Sequence, residues 1–203
     1  MSRRILALIA VLAVALALLT GLAVRKGLLG PSQQTAAVGG PFQLVDTSGR
    51  TVNQDVLKGK WSVVFFGYTH CPDVCPTTLF SLAQVEPLMG ARARDLQTVF
   101  VSVDPERDTP AQMKAYVANP SFPKRLVGLT GTPAQVAAAA KAYHAYYAKS
   151  GTGPDYAVSH AAYSYLMNPK GRFACVLPYE LTPEQTAAKL KTAMQAGPAA
   201  ESC

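Results

Sequence analysis

Trp61-Ser62-Val63-Val64-Phe65-Phe66-Gly67-Tyr68-Thr69-His70-Cys71-Pro72-Asp73-Val74-Cys75-Pro76 joins a buried strand to a helix through a turn that carries two thiols. The run from Trp61 to Phe66 is rich in aromatic and β-branched residues, the composition of a strand covered on both faces. Pro76 suits the first turn of a helix, where a missing N–H costs nothing. Gly67, Pro72 and Pro76 mark a shaped turn rather than packed core, so Cys71 and Cys75 stand on a strand-to-helix corner. Their four-residue spacing brings two sulfurs together on a tight loop or on one face of a helical turn. It allows either a disulfide or a joint grip on one soft metal ion.

Three other helix starts give the corner its meaning. Thr109-Pro110-Ala111-Gln112, Thr132-Pro133-Ala134-Gln135 and Thr182-Pro183-Glu184-Gln185 all read as capping boxes, with threonine serving the orphan amides, proline first in the helix and glutamine reaching back. In Cys75-Pro76-Thr77-Thr78 a cysteine takes the threonine's slot. A thiolate there would face unpaired N–H groups and the positive end of the helix dipole, so the spacing predicts a lowered pKa for Cys75.

Outward toward the N-terminus, the first 26 residues contain no acid and hold an apolar stretch, Ile5 to Val24, bounded by Arg3, Arg4, Arg25 and Lys26. Twenty helical residues span about 30 Å, enough to cross a bilayer. The small-residue triplet Ala15-Leu16-Ala17 lies too deep in the stretch to act as a cleavage site, which favours an uncleaved anchor over a signal peptide. Basic residues flank both ends, so charge alone orients the anchor weakly; export of the C-terminal part is the expected topology, most simply from a bacterial inner membrane into the periplasm. Residues 1–26 are thus read as a transmembrane anchor, 27–40 as a flexible linker, 41–197 as one domain and 198–203 as a tail. Four of the +7 formal charges belong to the anchor region, which leaves +3 scattered over the rest with no basic, aromatic-laced cluster. Nucleic-acid binding is not expected.

In the domain, Phe42-Gln43-Leu44-Val45 and Thr51-Val52 flank a glycine-containing turn and predict a hairpin. The pattern then predicts strand 61–67, helix 76–89, strand 97–103, helix 110–118, strand 126–129 and helix 133–148. Strands near 162–167 and 172–177 follow, with a helix at 183–195. Strands alternating with helices argue an α/β fold whose parallel sheet is covered on both faces, with a late antiparallel hairpin. Together with thiols at the first strand-helix corner, this resembles a thioredoxin-like fold: a central mixed sheet flanked by helices, with an N-terminal β-hairpin extension and an N-terminal membrane anchor helix.

The local motifs are narrower. The corner itself, then Val101-Ser102-Val103-Asp104-Pro105-Glu106-Arg107-Asp108-Thr109-Pro110, then His160 followed by Tyr165-Leu166 and Pro169-Lys170-Gly171, resemble the Sco/SenC family in the family's own order. These are membrane-anchored copper proteins that assist assembly of the dinuclear copper centre of cytochrome c oxidase. The resemblance runs from about residue 40 to residue 195. It implies copper ligands at Cys71, Cys75 and His160, a copper-receiving subunit of cytochrome c oxidase as partner, and another copper chaperone as donor. Two soft thiolates suit Cu(I), while an imidazole serves both Cu(I) and Cu(II). The family usually has an acid immediately before the histidine, whereas this chain has Ser159, which changes what orients the ring; Asp73, Asp104 and Asp155 are the candidate substitutes.

The remaining candidates read as structural. His70 is expected as an exposed turn residue, His144 as a helix surface residue and Met167 as core, sharing a strand face with Tyr163 and Tyr165. Asp104 is placed in a loop near the site. Cys175, in Phe173-Ala174-Cys175-Val176-Leu177, reads as a small buried hydrophobe, Cys203 as a tail residue; a bridge between them stays open, and neither is assigned to the site. Set against the metallochaperone is a thiol-disulfide reductase in which Cys71 and Cys75 are the redox-active pair, one attacking and the other resolving. A thiol peroxidase is disfavoured because Tyr68 stands where threonine is expected three residues before the reactive cysteine. Zinc also suits a Cys₂His set with an open position.

Overall fold

The computed structural model describes residues 3–25, 38–153 and 156–203. Most of the expected linker and Asp155 lie outside the described residues. The chain divides into two units, Met1–Ala36 and Ala37–Cys203. In the first, α1 (Arg3–Arg25) is a helix long and apolar enough to cross a membrane over Arg4–Leu22, with apolar side chains such as Ile9, Val11, Leu12, Leu16, Leu19 and Leu22 exposed.

The second unit is built on β3 (Trp61–Gly67) and β4 (Leu96–Ser102), in which every residue is buried. They pair in parallel in full register, Trp61 opposite Leu96 through Gly67 opposite Ser102, and β5 (Leu126–Thr130) extends the parallel set beside β4. Hairpins complete both sides. β1 (Gln43–Asp46) and β2 (Thr51–Asn53) join antiparallel to β5, and β8 (Ser164–Met167) and β9 (Phe173–Leu177) join antiparallel to β3. The seven-stranded order is β2-β1-β5-β4-β3-β8-β9, the mixed sheet expected of a thioredoxin-like fold. In the first hairpin the Asp46 carboxylate accepts the amides of Ser48 (2.8 Å) and Arg50 (3.0 Å), while Gly49 supplies the positive φ of +82°.

Helices cover both faces because β3 alternates. Phe66 packs its ring on Tyr143 of α4 (Pro133–Tyr143), with centroids 5.3 Å apart. Phe65 points the other way, toward Phe100, which contacts Tyr116 of α3 (Pro110–Val117). Val63 joins the cluster in which α2 (Val74–Met89) and α5 (Pro183–Gln195) pack together through Leu82, Val85, Ala187 and Leu190. Each such buried aliphatic or aromatic side chain contributes about 1.5–3 kcal/mol. The buried Ser62 hydroxyl is satisfied by Gln97 Nε2 at 2.9 Å.

Two of the three threonine caps are reciprocal boxes, at Thr132 and Thr182; at Thr109 only the hydroxyl arm is present, accepting the Gln112 amide. The helix expected over 133–148 ends at Tyr143. His144 adopts a left-handed φ of 53°, and the Ala145 amide turns back to the Ala140 carbonyl, so His144 terminates the helix instead of decorating it. The chain then forms β6 (Tyr147–Ser150), which pairs with β7 (Ala157–His160) in a separate two-stranded sheet that the sequence reading did not anticipate.

Cys175, read as a free buried cysteine, forms a disulfide with Cys203 across 28 residues. The tail is further held by Asn168 Nδ2 donating to the Ala200 carbonyl (3.1 Å) and by Arg172 against Glu201 (3.0 Å). A loop of that length contributes about 3.6 kcal/mol through the unfolded chain. Cys203→Ser is therefore expected to lower unfolding free energy by about 2–4 kcal/mol in a non-reducing urea titration, and to leave the reactivity of Cys71 unchanged.

Candidate metal centre

The cysteine corner is shaped by a missing side chain. A Cβ built on Gly67, the last residue of β3, would lie 2.6 Å from Cys75 Sγ and 2.8 Å from Phe100 Cε2, so only glycine lets the sulfur tuck against the strand end. Cys75 is 0% exposed and Cys71 is half-buried; both are free thiols.

The expectation of a lowered pKa at Cys75 is overturned. Helix α2 begins at Val74, its capping position is Asp73, whose side chain makes no cap bond, and Cys75 is the second residue of the helix. Burial pushes the Cys75 thiol well above its ordinary range, reinforced by the neighbouring Cys71 sulfur. Cys71 has the exposed-sulfur role instead. Its sulfur accepts the Cys75 amide at 3.4 Å. The Cys75 thiol, then His160 and the amides of Asp73 and Cys75, outweigh desolvation and hold Cys71 down at about 3. The helix-end argument was sound in kind, since an orphan amide does stabilise a thiolate, but it belongs to the sulfur that precedes the helix.

Asp108 fixes the preceding loop. Fully buried, it accepts from the Thr69 amide (3.0 Å), the Thr69 hydroxyl (2.6 Å) and the Ser102 hydroxyl (2.6 Å). Sequence reasoning passed over it in favour of Asp104. The available signal was an acid directly before a threonine cap and just past the end of a buried strand.

His160 closes the site as the last residue of β7, opposite Tyr147. Its Nε2 lies 3.4 Å from Cys75 Sγ and 3.9 Å from Cys71 Sγ, and the three donor atoms fall within 4.8 Å of one another. Nδ1 faces the Ala161 carbonyl at 3.0 Å, a contact satisfied by an Nδ1–H, so Nε2 is the ring atom directed at the sulfurs. The ring is wedged edge-on against Phe65 and Tyr68, with centroids 5.8 and 5.7 Å away. The backbone carbonyl thus orients the ring without a carboxylate at 159; Ser159 is exposed, across from Ala148.

The other candidates fall outside the donor group. His70 is 49% exposed and lies 3.8 Å from Asp108, outside the donor group. Met167 is fully buried opposite Ser62, five residues or about 16 Å before the corner end of β3. Asp73 is exposed and accepts from the Thr77 hydroxyl at 3.2 Å. Asp104 bonds Arg107 and the Tyr156 hydroxyl, not the donor group.

The donor set fits copper. Two soft sulfurs and one imidazole converge without an intervening carboxylate, a trigonal set that favours Cu(I) and tolerates Cu(II). The SCO1/SenC family profile matches residues 30–195. The chain is 42% identical over 159 residues to Protein SenC of Rhodobacter capsulatus, covering 78% of this chain and 71% of that one. It is 43% identical over 146 residues to the mitochondrial SCO1 homolog 1 of Arabidopsis thaliana, covering 71% of this chain but 43% of that protein's length. Among solved structures, Bradyrhizobium japonicum ScoI with copper bound superposes with a TM-score of 0.69 at 49% identity, over 77% of this chain and 99% of that one. The chain belongs to the SCO1/SenC family.

Two outcomes are expected from this geometry. Alkylation of the reduced, metal-free protein, followed by mass spectrometry, should label Cys71 first. Its rate constant should stay nearly flat from pH 8 to pH 5, because a thiol held near 3 remains thiolate over that range; Cys75 should label only on unfolding. Gly67→Ala should cost about 1–3 kcal/mol of stability through overpacking and should weaken copper retention in chelator competition.

Proposed function

We propose that the protein is a membrane-anchored copper chaperone that holds one copper ion with Cys71, Cys75 and His160 and passes it to the copper-receiving subunit of cytochrome c oxidase. The observation that carries this reading is the convergence of the three donor atoms within 4.8 Å, with the imidazole's far nitrogen engaged by the Ala161 carbonyl. Both sulfurs must be reduced to bind Cu(I), so the cysteine pair also gates loading. Residues 1–26 act as the anchor, 27–40 as the linker and 41–197 as the copper-binding domain, with residues 198–203 stapled back on it. Export of the domain into the periplasm is supported by the Cys175–Cys203 bridge, a bond at home in an oxidising compartment. Another copper chaperone serves as donor, handing over the ion by stepwise ligand exchange at the half-exposed Cys71.

A second reading, thiol-disulfide reduction, is favoured by the asymmetry of the sulfurs. The Cys71 thiolate attacks one sulfur of a partner disulfide and the other partner sulfur leaves as thiolate. Cys75, losing its proton, then displaces the first partner sulfur and leaves a Cys71–Cys75 disulfide. His160 separates the two readings, because only copper binding requires it. In the detergent-solubilised full chain, the wild type should bind one copper, and His160→Ala should lose the Cu(II) paramagnetic resonance signature while keeping stoichiometric turnover of an oxidised partner peptide. An unchanged Cu(II) spectrum would remove His160 from the site.

A further inference from the structure

His160 reaches the thiols from a hairpin that stands apart from the seven-stranded sheet, since β6 and β7 pair with each other. Its hydrogen-bond ladder does not determine where the imidazole sits relative to Cys71 and Cys75. One polar contact that seats it, between the Val158 backbone and the Tyr68 hydroxyl, comes from the thiol loop itself; the others converge on one short segment after β4. Arg107 Nη1 donates to the Tyr156 carbonyl at 3.1 Å, and the guanidinium carbon lies 3.8 Å from the centroid of the Tyr156 ring and 5.8 Å from that of Tyr68. Asp104, 3% exposed, accepts from both Arg107 Nε and the Tyr156 hydroxyl. At the rim, Lys149 Nζ of β6 meets Glu106 Oε2 at 2.5 Å.

The other end of the same segment holds the thiol loop, through Asp108 and Thr69. The segment is itself stiff. The Asp108 amide donates to the Asp104 carbonyl (2.9 Å), and the Ser102 hydroxyl donates to Asp108 Oδ2 while accepting the Asp104 amide (3.0 Å).

We infer that Asp104–Asp108 is the positioning element of the metal site: Asp104 and Arg107 clamp the hairpin that bears His160, Asp108 clamps the loop that bears Cys71, and the turn between them sets the imidazole in register with the sulfurs. None of these residues belongs to the donor group of Cys71, Cys75 and His160. The inner clamp is a buried charge pair with a planar cation stacked on a ring, an arrangement that a lysine's point charge does not reproduce. Removing one partner leaves the other charge buried and unpaired. The rim ion pair is solvent-exposed on both sides and carries little, but Lys149 Nζ also lies 3.6 Å from the centroid of the Tyr156 ring and adds a second cation to the clamp.

This inference rests on the reading of His160 as a ligand, so its test has one arm without metal. In the full chain, Arg107→Met and Tyr156→Phe are compared with wild type and with Lys58→Met, which removes an exposed ion pair to Asp55 away from the hairpin. Metal-free hydrogen exchange should speed up at the amides of residues 157–160 while those of α5 and β8 stay unchanged. In the Cu(II)-loaded protein, the nitrogen hyperfine coupling of the imidazole should weaken while sulfur-to-copper charge transfer persists. Copper retention should fall by about 10- to 100-fold in Arg107→Met, in the same direction but less in Tyr156→Phe, and stay near wild type in Lys58→Met. Tyr156→Phe keeps the ring and removes one hydroxyl, so it serves if Arg107→Met does not fold. Wild-type exchange at 157–160 in the folded variants would overturn the clamp. Faster exchange with unchanged nitrogen coupling would overturn its role in ligand registry. A wild type without any nitrogen coupling would instead sink the ligand reading, with the exchange arm still deciding the clamp.

Discussion

The contact of Cys75 Sγ with the glycine at the end of β3 is the constraint from which the site's chemistry follows. A parallel strand buried along its whole length ends at Gly67, and the absent Cβ leaves room for one sulfur and no more. Cys75 is therefore sunk in the core, next to Phe100, where its thiol resists ionisation. Cys71, four residues earlier, is left half-buried, with the Cys75 amide pointing at it. Chemically similar side chains thus become a protonated, inaccessible thiol and a thiolate that a partner can reach. Sequential exchange of a bound ion needs such an asymmetry, because the incoming ligand must displace one donor while the other retains the metal.

The third donor is brought in from 85 residues away and so depends on tertiary structure in a way the thiols do not. Closing that distance costs conformational entropy that a single contact of the imidazole with two sulfurs does not offset. The ring is accordingly pre-organised by contacts unrelated to metal: the Ala161 carbonyl at Nδ1, and Phe65 and Tyr68 on its edges. Tyr68 belongs to the thiol loop, so the ring that walls in His160 moves with the cysteines. An ion entering the site meets donors already close to their final spacing and requires little rearrangement.

Much of this was legible in the chain because the decisive signals are local. The aromatic and β-branched run 61–66, the proline-marked turn and the threonine-proline helix starts each specify their own conformation, and the strands and helices around them fall close to the expected positions. The β6–β7 hairpin was not legible. Tyr143-His144-Ala145-Tyr146-Tyr147 continues an alanine-rich helical pattern, and only the left-handed turn at His144, stabilised by the Ala145 to Ala140 hydrogen bond, ends it. The placement of the low-pKa sulfur failed for a related reason. Proline preference locates a helix start to within a turn, and a shift of the cap from Cys75 to Asp73 is enough to reverse which cysteine faces the amides. Asp108 was hidden because an acid in a charged string looks solvated until folding buries it against Thr69 and Ser102.

The four cysteines divide by what their surroundings do to the sulfur. Cys175 and Cys203 meet at the far edge strand, where a bond between them closes a loop and ties down the chain end. Cys71 and Cys75 meet at a corner where a third donor already faces both sulfurs, so an incoming ion competes directly with oxidation for the same lone pairs. Joining the pair would draw Cys71 inward, because Cys75 is fixed by the helix and by Gly67 while Cys71 stands on the loop before it. Oxidation would thereby remove the one donor that a partner can reach first. A fold that places its structural bridge on the edge strand β9, away from the end of the interior strand β3, keeps that competition confined to Cys71 and Cys75.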